Sequence, residues 1–278
     1  MIELDRSENA PTEQDLDNKV ASEIGSSSTG PRILMLGGTG TIGRATVAAL
    51  VARGYKVVCI VRAKAGSGGK LTQEKTTRLL KGAEVIFGDV SDQSFLAEQV
   101  FQTHSFDAVV SCLASRTGEP KDAWAIDYQA HADVLSLSKE AGVKQMVLLS
   151  AICVQKPRLV FQHAKLKFEK ELIASGLTYS IVRPTAYFKS LVGQVERVKK
   201  GKPFLLFGDG TLTACKPISD GDLATYMADC LTKETLQNKI LPIGGPGPAI
   251  TLLDQGEFLF RTLGREPRFK SVPASLLS

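Results

Sequence analysis

The sequence predicts an α/β protein built on a doubly wound parallel sheet. From residue 32 onward, short runs of Val, Ile and Leu alternate with longer segments of helical period, which is typical of buried parallel strands and crossover helices. A glycine-rich turn joins the first run to the first helical segment, as in folds that bind dinucleotides. These observations predict a Rossmann-type fold. The looser, Gly- and Pro-rich pattern after residue 185 predicts a smaller C-terminal substrate lobe.

Individual elements follow from the same alternation. Six runs rich in β-branched and apolar residues are predicted to be strands. They are Arg32–Leu36, Lys56–Val61, Glu84–Phe87, Asp107–Cys112, Gln145–Ser150 and Tyr179–Val182. Five segments of helical period are predicted to be helices, three of them ending at a glycine that can take a left-handed conformation. They are Thr41–Arg53, Asp122–Ala141, Val160–Ser175, Asp220–Leu231 and Leu252–Leu263.

The turn after the first strand has the composition of a phosphate-binding loop. It reads Gly-Gly-Thr-Gly-Thr-Ile-Gly, with Gly37, Gly40 and Gly43 spaced as G-x-x-G-x-x-G. Glycine permits the tight turn, lets backbone N–H groups approach a pyrophosphate, and allows the helix to pack closely on the strand. The helix N-terminus, at Thr41 and Ile42, adds partial positive charge. We therefore predict that this loop binds a dinucleotide.

The end of the second strand predicts which dinucleotide binds. NAD-binding proteins carry an acid there that holds the adenine-ribose hydroxyls, whereas this chain carries Arg62. Arginine can pair with a 2′-phosphate through two hydrogen bonds, and Arg44 on the first helix can add a second charge. Together the two arginines predict NADPH as the cofactor. The alternative is that either of them is a surface residue without a partner. By position in the fold, Asp89 is expected near the adenine and Ala114 beneath the nicotinamide ribose.

Charge divides the chain into two parts. Residues 1–30 carry seven acids and two bases and end in a Ser-, Gly- and Pro-rich stretch, so we predict a disordered acidic arm. Residues 31–278 carry 32 basic and 22 acidic residues, a net charge of +10. That charge either favours anionic ligands or is spread over solvated helix faces. We predict an NADP(H)-binding domain over residues 31–185 and the substrate lobe over residues 186–278.

Several classes of function are disfavoured by composition. The chain has no nucleic-acid-binding motif. No apolar run reaches the ~20 residues that cross a bilayer, so a soluble protein with at most peripheral membrane contact is expected. The three histidines lack metal-ligand spacing, so no metal site is predicted. The five cysteines form no C-x-x-C pair and are expected to be reduced, near-core thiols.

The predicted reacting end partly matches the pattern of short-chain dehydrogenases. These enzymes carry Ser after the fifth strand and Y-x-x-x-K on the next helix, where Tyr protonates a nascent alkoxide and Lys holds the ribose. Ser150 and Lys165 occupy two of these positions, but Phe161 replaces the tyrosine. Ser150 and Lys165 are therefore predicted to be catalytic, while simple carbonyl chemistry is disfavoured. The alternative is a core Phe and a solvated Lys.

Six longer segments carry a family resemblance. They are residues 109–116, 148–157, 161–169, 179–190, 215–219 and 241–247, among them Ser-Ala-Ile-Cys-Val-Gln-Lys-Pro. Over residues 31–273 the chain resembles the atypical short-chain dehydrogenases that reduce carbon–carbon double bonds, most closely the 8-vinyl reductases of chlorophyll biosynthesis. The resemblance implies that NADPH supplies a hydride that converts the 8-vinyl group of a magnesium tetrapyrrole to ethyl. Alkene reduction forms no alkoxide, so the missing tyrosine fits this chemistry.

The implied substrate, divinyl chlorophyllide or its protochlorophyllide precursor, is a flat apolar ring with an anionic propionate. Its pocket should therefore combine apolar walls with one or two basic groups. Tyr187, Phe188 and Lys189 follow the sixth strand, where this fold opens at the carboxyl ends of its strands. They are the candidate substrate residues, with ordinary packing of the aromatics as the alternative.

Other interpretations stay open at this point. A non-catalytic NADP(H)-sensing regulator could keep the glycine loop and lose the tyrosine, and a reductase of phenylpropanoid alkenes could share the lysine. Members of the resembled family continue beyond residue 278, so the substrate lobe is expected to be truncated. The resemblance implies a plastid protein if the source is eukaryotic and a cytoplasmic protein if it is bacterial.

Overall fold

A central parallel sheet organises residues 30–64 and 71–273, which are the residues that the computed structural model describes, without the side chain of Ser190. The strands of this part are β1 (Arg32–Leu36), β2 (Lys56–Val61), β3 (Glu84–Phe87), β4 (Ala108–Ser111), β5 (Gln145–Leu149), β6 (Thr178–Pro184), β7 (Phe204–Phe207), β8 (Ala214–Cys215), β9 (Lys239–Ile243), β10 (Ile250–Thr251) and β11 (Phe269–Val272). The sheet has the order β3-β2-β1-β4-β5-β6-β9, and every neighbouring pair is parallel. This arrangement confirms the predicted fold class.

The six predicted strands are all present, with small errors at their ends. β1, β2 and β3 have the predicted bounds, and β5 ends before Ser150. β4 is one residue shorter than predicted at each end, and Asp107, just before it, accepts a hydrogen bond on its side chain from the backbone N–H of Arg32. β6 is longer than predicted. The unpredicted strand β9 is a half-exposed edge strand containing Pro242, which weakens the sequence signal.

Helices cover both faces of the sheet. They are α1 (Thr41–Ala52), α2 (Gln73–Leu79), α3 (residues 93–101), α4 (residues 120–140), α5 (Val160–Ala174), α6 (Phe188–Leu191), α7 (Val195–Lys199), α8 (Asp220–Asp229) and α9 (Leu252–Thr262). The five predicted helices are present with bounds that differ by at most two residues, whereas α2 and α3 were not predicted. Side-chain hydroxyls cap α8 and α9, because Ser219 and Thr251 each accept a backbone N–H from the first turn.

Helix α4 is irregular in a way that the sequence did not predict. It begins as a short α-helical segment, widens into a π-helix over Ala123–Gln129, and returns to an α-helix over Ala130–Glu140. Such π-helical segments are rare and frequently lie at functional sites. The wide segment carries Asp127, which belongs to the site described below.

Alternating strand residues build two apolar layers. On one face, β1 and β2 pack against α1 and α8, with Leu50 and Met227 fully buried. On the other face, Leu34 and Met146 pack with α3, α4 and α5, where Phe168 is buried. Each buried side chain of this size stabilises the fold by about 1.5–3 kcal/mol. Because the strands are parallel, their carboxyl ends meet at one edge of the sheet, and the packing on both faces holds that edge in place.

A smaller cluster lies in the C-terminal part of the chain. β7 pairs with β11 in parallel, β8 pairs with β10 antiparallel, and Phe204 and Phe260 form an apolar centre between them and the helices. The described residues from Pro31 onward group as one compact unit, and the division into a cofactor domain and a substrate lobe at residue 185 stays a prediction. The predicted arm (residues 1–30, apart from Gly30) and the chain end at Leu276 and Leu277 lie outside the described residues.

Two predicted absences concern the described residues only. None of their helices is both long and apolar enough to cross a membrane. Within the same ranges, no group of three or more His, Cys, Asp or Glu side chains is arranged to hold a metal ion. The expectation of near-core cysteines is wrong for Cys153, which is exposed in the turn after β5, whereas Cys59 and Cys230 are buried.

Candidate active site

Two glycines of the loop, Gly37 and Gly43, have no room for a side chain. Gly37 has φ +73, and a Cβ on it would lie 2.6 Å from the backbone of Cys112 and Leu113 at the end of β4. A Cβ on Gly43 would lie 2.1 Å from the carbonyl oxygen of Gly37. The first glycine therefore brings two strand ends together, and the last brings helix α1 against the loop. Both contacts match the roles predicted for this motif.

Helix α1 presents an uncapped N-terminus at this loop. Gly40 is the N-cap residue and offers no side chain, and the first turn carries no acid. The first N–H groups of a helix have no partner within the helix, and the helix dipole adds partial positive charge there. Thr41 and the buried Ile42 begin the helix. This arrangement suits a phosphate group.

A groove of about 690 Å³ runs over the loop. It is lined by Gly37, Thr39, Gly40, Thr41, Arg44, Arg62, Leu71, Leu79, Cys112, Leu113, Ala114, Arg116 and Lys189. Within the described residues, the lining contains four cationic side chains and no acidic one. The structure thus brings Arg44 and Arg62 to the same groove as the glycine loop and Ala114. Its volume, backbone donors and charge fit a nicotinamide dinucleotide.

Asp89 lies beside this groove but is not one of the residues that line it. Its carboxylate accepts hydrogen bonds from the backbone N–H and the hydroxyl of Ser91. Partial burial raises the pKa of Asp89, but these hydrogen bonds and the charge of Arg62 outweigh it, so the pKa is lowered. Arg62 also lies close enough to Asp122 to lower the pKa of that carboxyl, after hydrogen bonds from Thr117. Asp89 and Asp122 therefore both lie within electrostatic range of Arg62, and neither of them lines the groove.

A second pocket of about 400 Å³ adjoins the groove and shares several lining residues with it. It is lined by Gly40, Thr41, Ile42, Gly43, Cys112, Ala114, Leu149, Tyr187, Lys189 and Asp220. Burial raises the pKa of the Tyr187 phenol to about 12, so the phenol stays protonated. Phe188 is 53% exposed and is not among the residues that line either pocket. Of the three candidate substrate residues, the structure places Tyr187 and Lys189 at the pocket.

Lys165 is buried in an ion pair beneath the end of β4. Its Nζ lies 2.9 Å from Oδ1 of Asp127, and the two side chains are 9% and 0% exposed. The same carboxylate oxygen accepts the backbone N–H of Ser115, while Asp127 Oδ2 has no hydrogen-bond partner among the described residues. The ammonium also acts on the pKa of Cys112, which burial raises to about 12 and Lys165 lowers. Lys165 is therefore buried beneath residues that line the groove, such as Cys112, and is not the solvated lysine of the alternative interpretation.

Ser150 forms a hydrogen bond within a second buried cluster. Its hydroxyl donates to Glu169 Oε1 at 2.5 Å, and Arg183 donates to both carboxylate oxygens of Glu169. Ser150 and Glu169 are buried. Because Glu169 follows Lys165 by one helical turn, α5 carries both buried ionic groups on one face. Ser150 does not line either pocket described above, and its catalytic role stays a prediction.

His131 completes the buried polar layer. Its two ring nitrogens lie 2.8 Å from the Ser111 hydroxyl and 2.8 Å from the carbonyl oxygen of Ile126. Burial, together with the nearby Lys165 charge, lowers the pKa of His131 to about 4. A neutral ring satisfies both contacts, since one nitrogen donates to the carbonyl and the other accepts from the hydroxyl. Ser111 ends β4, so this contact fixes the strand that supports the groove.

The two carboxylates of this layer, Asp127 and Glu169, were not predicted from the sequence. Asp127 and Glu169 lie in helical segments and look like ordinary polar positions in the sequence. A usable signal was present for Glu169, because an acid four residues after Lys165 on the same helix face is expected to share its environment. No comparable signal points to Asp127, which comes from another helix.

A parallel sheet, a glycine loop against a helix N-terminus and a cationic groove with no acid among its described lining residues define a Rossmann-type dinucleotide-binding protein. Sequence comparison agrees, since a family model described as NAD(P)H-binding matches residues 37–234. The chain belongs to this NAD(P)H-binding family. The coarser part of the cofactor prediction, a nicotinamide dinucleotide, is thereby confirmed.

Curated relatives narrow the similarity. The chain is 53% identical over 252 residues to a protein of Arabidopsis thaliana and 55% identical over 251 residues to one of Cucumis sativus. Both are named divinyl chlorophyllide a 8-vinyl-reductase, chloroplastic, and each match covers 88% of this chain and 60% of the relative. The chain thus spans about 60% of the length of these relatives. The resemblance inferred from the sequence is confirmed.

Solved structures extend the comparison of the fold. A UDP-glucose 4-epimerase from Thermotoga maritima matches with a TM-score of 0.72 and 21% identity. The match covers 86% of this chain and 85% of the epimerase. The two proteins therefore share the α/β fold.

Proposed function

We propose that the chain takes part in the NADPH-dependent reduction of the 8-vinyl group of divinyl chlorophyllide, or its protochlorophyllide precursor, to an ethyl group. The observation that carries this proposal is the combination of a nicotinamide-binding groove with helix α5, which keeps Lys165 but has Phe161 in place of a proton-donating tyrosine. The names of the relatives at 53–55% identity supply the substrate. Because the chain spans about 60% of their length, the activity of the whole protein is part of the proposal.

NADPH, rather than NADH, is the proposed cofactor. Arg44 and Arg62 line one end of a groove that contains no acid among the described residues. A carboxylate at that position would hold ribose hydroxyls, whereas a guanidinium pairs with a phosphate. The 2′-phosphate is the group that distinguishes NADPH from NADH, so these two side chains determine the preference.

The remaining residues position the reactants. NADPH, when bound, supplies the hydride. The N–H groups at the start of helix α1, at Thr41 and Ile42, hold its pyrophosphate, and Ala114 supports the nicotinamide ribose from below. Lys165, fixed by Asp127, supplies positive charge under this floor. In the adjoining pocket, Leu149 and Tyr187 form an apolar wall that suits a flat tetrapyrrole.

One assay tests the function. The chain is incubated anaerobically with divinyl chlorophyllide and NADPH, and the pigments are separated by chromatography. A chimera that adds the unmatched part of the cucumber relative is assayed beside it, because that part of the relative lies outside the 60% that the chain covers. The relative itself is the positive control. We expect monovinyl chlorophyllide from the chimera and slower or no turnover by the chain alone.

The same assay separates the reductase from an NADP(H)-sensing regulator. A chimera that binds NADPH but forms no monovinyl pigment, under conditions where the cucumber relative does, would rule out the reductase. A regulator would bind NADPH without oxidising it. The proposed compartment is the plastid, since the names of both relatives include "chloroplastic".

A further inference from the structure

We infer that Lys189 is a pyrophosphate-binding residue of the cofactor site and not a residue that binds the pigment. Its Nζ donates a hydrogen bond to Oγ1 of Thr41 at 2.6 Å. Thr41 is the first residue of helix α1. The contact joins positions 148 residues apart, so the fold brings the ammonium from the short helix α6 to the glycine loop.

The electrostatic setting of Lys189 favours an anionic ligand. The ammonium lies at the positive end of the α1 dipole, where a cation is unfavourable. The first turn of α1 carries no acid, and the partner of Lys189 there is a neutral hydroxyl. In the part of the chain that the structure describes, no carboxylate lies within ion-pair distance of Lys189. A phosphate at this point would satisfy both the ammonium and the helix N-terminus.

The position of Lys189 along the groove decides which phosphate this is. Arg44 and Arg62 line the groove near the end of β2, where the 2′-phosphate is proposed to bind. Lys189 contacts Thr41 at the centre of the glycine loop and lines both the groove and the adjoining pocket. In this fold the pyrophosphate lies at the N-terminus of the first helix. The three cations are therefore divided between the 2′-phosphate and the central pyrophosphate of one ligand.

Binding of the cofactor replaces the contact between Lys189 and Thr41. The ammonium has three donors and needs to move only from the threonine hydroxyl to an oxygen bound at the same N–H groups. Since Lys189 comes from helix α6, which follows the pocket residue Tyr187, its bond to the pyrophosphate also ties this segment to the bound cofactor. The inference rests on the proposed cofactor and does not depend on the pigment.

Direct titration tests the inference without turnover. NADPH, NADH and adenosine 2′-monophosphate are titrated into the unchanged chain, Lys189→Met and Lys202→Met, the last being an exposed lysine that does not line either pocket. We expect Lys189→Met to weaken NADPH and NADH by a similar factor of roughly 10 or more. It should leave adenosine 2′-monophosphate, which has no pyrophosphate, within about twofold. Lys189→Arg should keep most of the affinity, and Lys202→Met should behave like the unchanged chain.

Three results would overturn the inference. Unchanged affinity for both dinucleotides in Lys189→Met would show that Lys189 does not bind the pyrophosphate. Loss confined to NADPH and adenosine 2′-monophosphate would assign it to the 2′-phosphate. Equal losses in Lys189→Met and Lys202→Met would show only a general effect of positive charge. Because the readout is binding, failure of the reductase assay would leave this test unaffected.

Discussion

The groove over the glycine loop and the buried layer around Lys165 use charge in opposite ways. Cations line the groove without an acid among the described lining residues, so their charge is available to a ligand. In the buried layer, each cation is paired with a carboxylate, Lys165 with Asp127 and Arg183 with Glu169. The groove is therefore built to bind phosphates, and the layer beneath it is built to hold its own side chains in place.

The largest effect is expected from breaking a pair in the buried layer. Glu169→Ala would leave Arg183 buried without a partner and remove the acceptor of Ser150. Loss of one member of a buried pair costs about 3–5 kcal/mol of unfolding free energy, which urea denaturation would measure. Glu257→Ala, at an exposed acid on α9, is the control and should change stability by less than about 0.5 kcal/mol. A loss below about 1 kcal/mol in Glu169→Ala would mean that the layer is not held by its ion pairs.

Lowering the pH should decrease the stability of the folded protein through the buried layer. The pKa of His131 is about 4 in the folded protein because of burial, against about 6.5 in the unfolded chain. As pH falls from 6.5 to 4, the unfolded chain takes up a proton that the folded ring does not, so stability decreases by roughly 3 kcal/mol. His131→Gln should flatten this part of the pH–stability curve, whereas His163→Gln, at an exposed position, should not. Curves of equal slope for both variants would contradict a neutral buried ring.

Lys165 tests whether the buried layer also serves the reaction. In the chimera, Lys165→Ala should lower kcat about 100-fold if the ammonium positions the reactants. It should also destabilise the fold, because Asp127 would be left buried without its ion-pair partner. The double variant Lys165→Met/Asp127→Leu replaces the pair with apolar groups and should recover stability without recovering turnover. Recovery of both together would make the lysine purely structural. Phe161→Tyr should not produce a faster enzyme.

The smallest expected effect tests the other side of the comparison. Arg62→Ala should weaken NADPH binding by roughly 10- to 100-fold, because a charged hydrogen-bonded pair is lost. The affinity for NADH should barely change, and so should stability, since the groove does not rely on this side chain for packing. Equal loss for both cofactors, measured by titration, would remove the basis for the NADPH preference.

The sequence predicted the two regions unequally for physical reasons. The groove depends on local features, the spacing of Gly37, Gly40 and Gly43 and a basic residue at the end of β2, and such features can be identified without a structure. The buried layer depends on contacts between helices, and a pattern along one helix does not identify the partner on another. Asp127 was missed for this reason. Lys189 was identified as a candidate substrate residue, and its contact with Thr41 was not predicted because that contact comes from the tertiary fold.

The edge of the sheet shows the same limit. The central strands β1 and β2 are continuous buried runs and were predicted with their correct ends. Strand β9 has one side exposed and contains Pro242, so its pattern resembles the surrounding loops. Burial on both faces gives a strand its sequence signal, and β9 lacks much of that burial, whereas the less exposed edge strand β3 was predicted with its correct ends.

Transfer of deuterium from NADPH to the pigment tests the central claim most directly. The chimera is given divinyl chlorophyllide and NADPH carrying deuterium on one or the other face of nicotinamide C4, and the product is analysed by mass spectrometry. Our account predicts that one of the two labelled cofactors yields monovinyl chlorophyllide with a single deuterium in its 8-ethyl group. Monovinyl pigment that carries no deuterium from either cofactor, or NADPH binding with no monovinyl pigment at all while the cucumber relative makes it, would contradict the account.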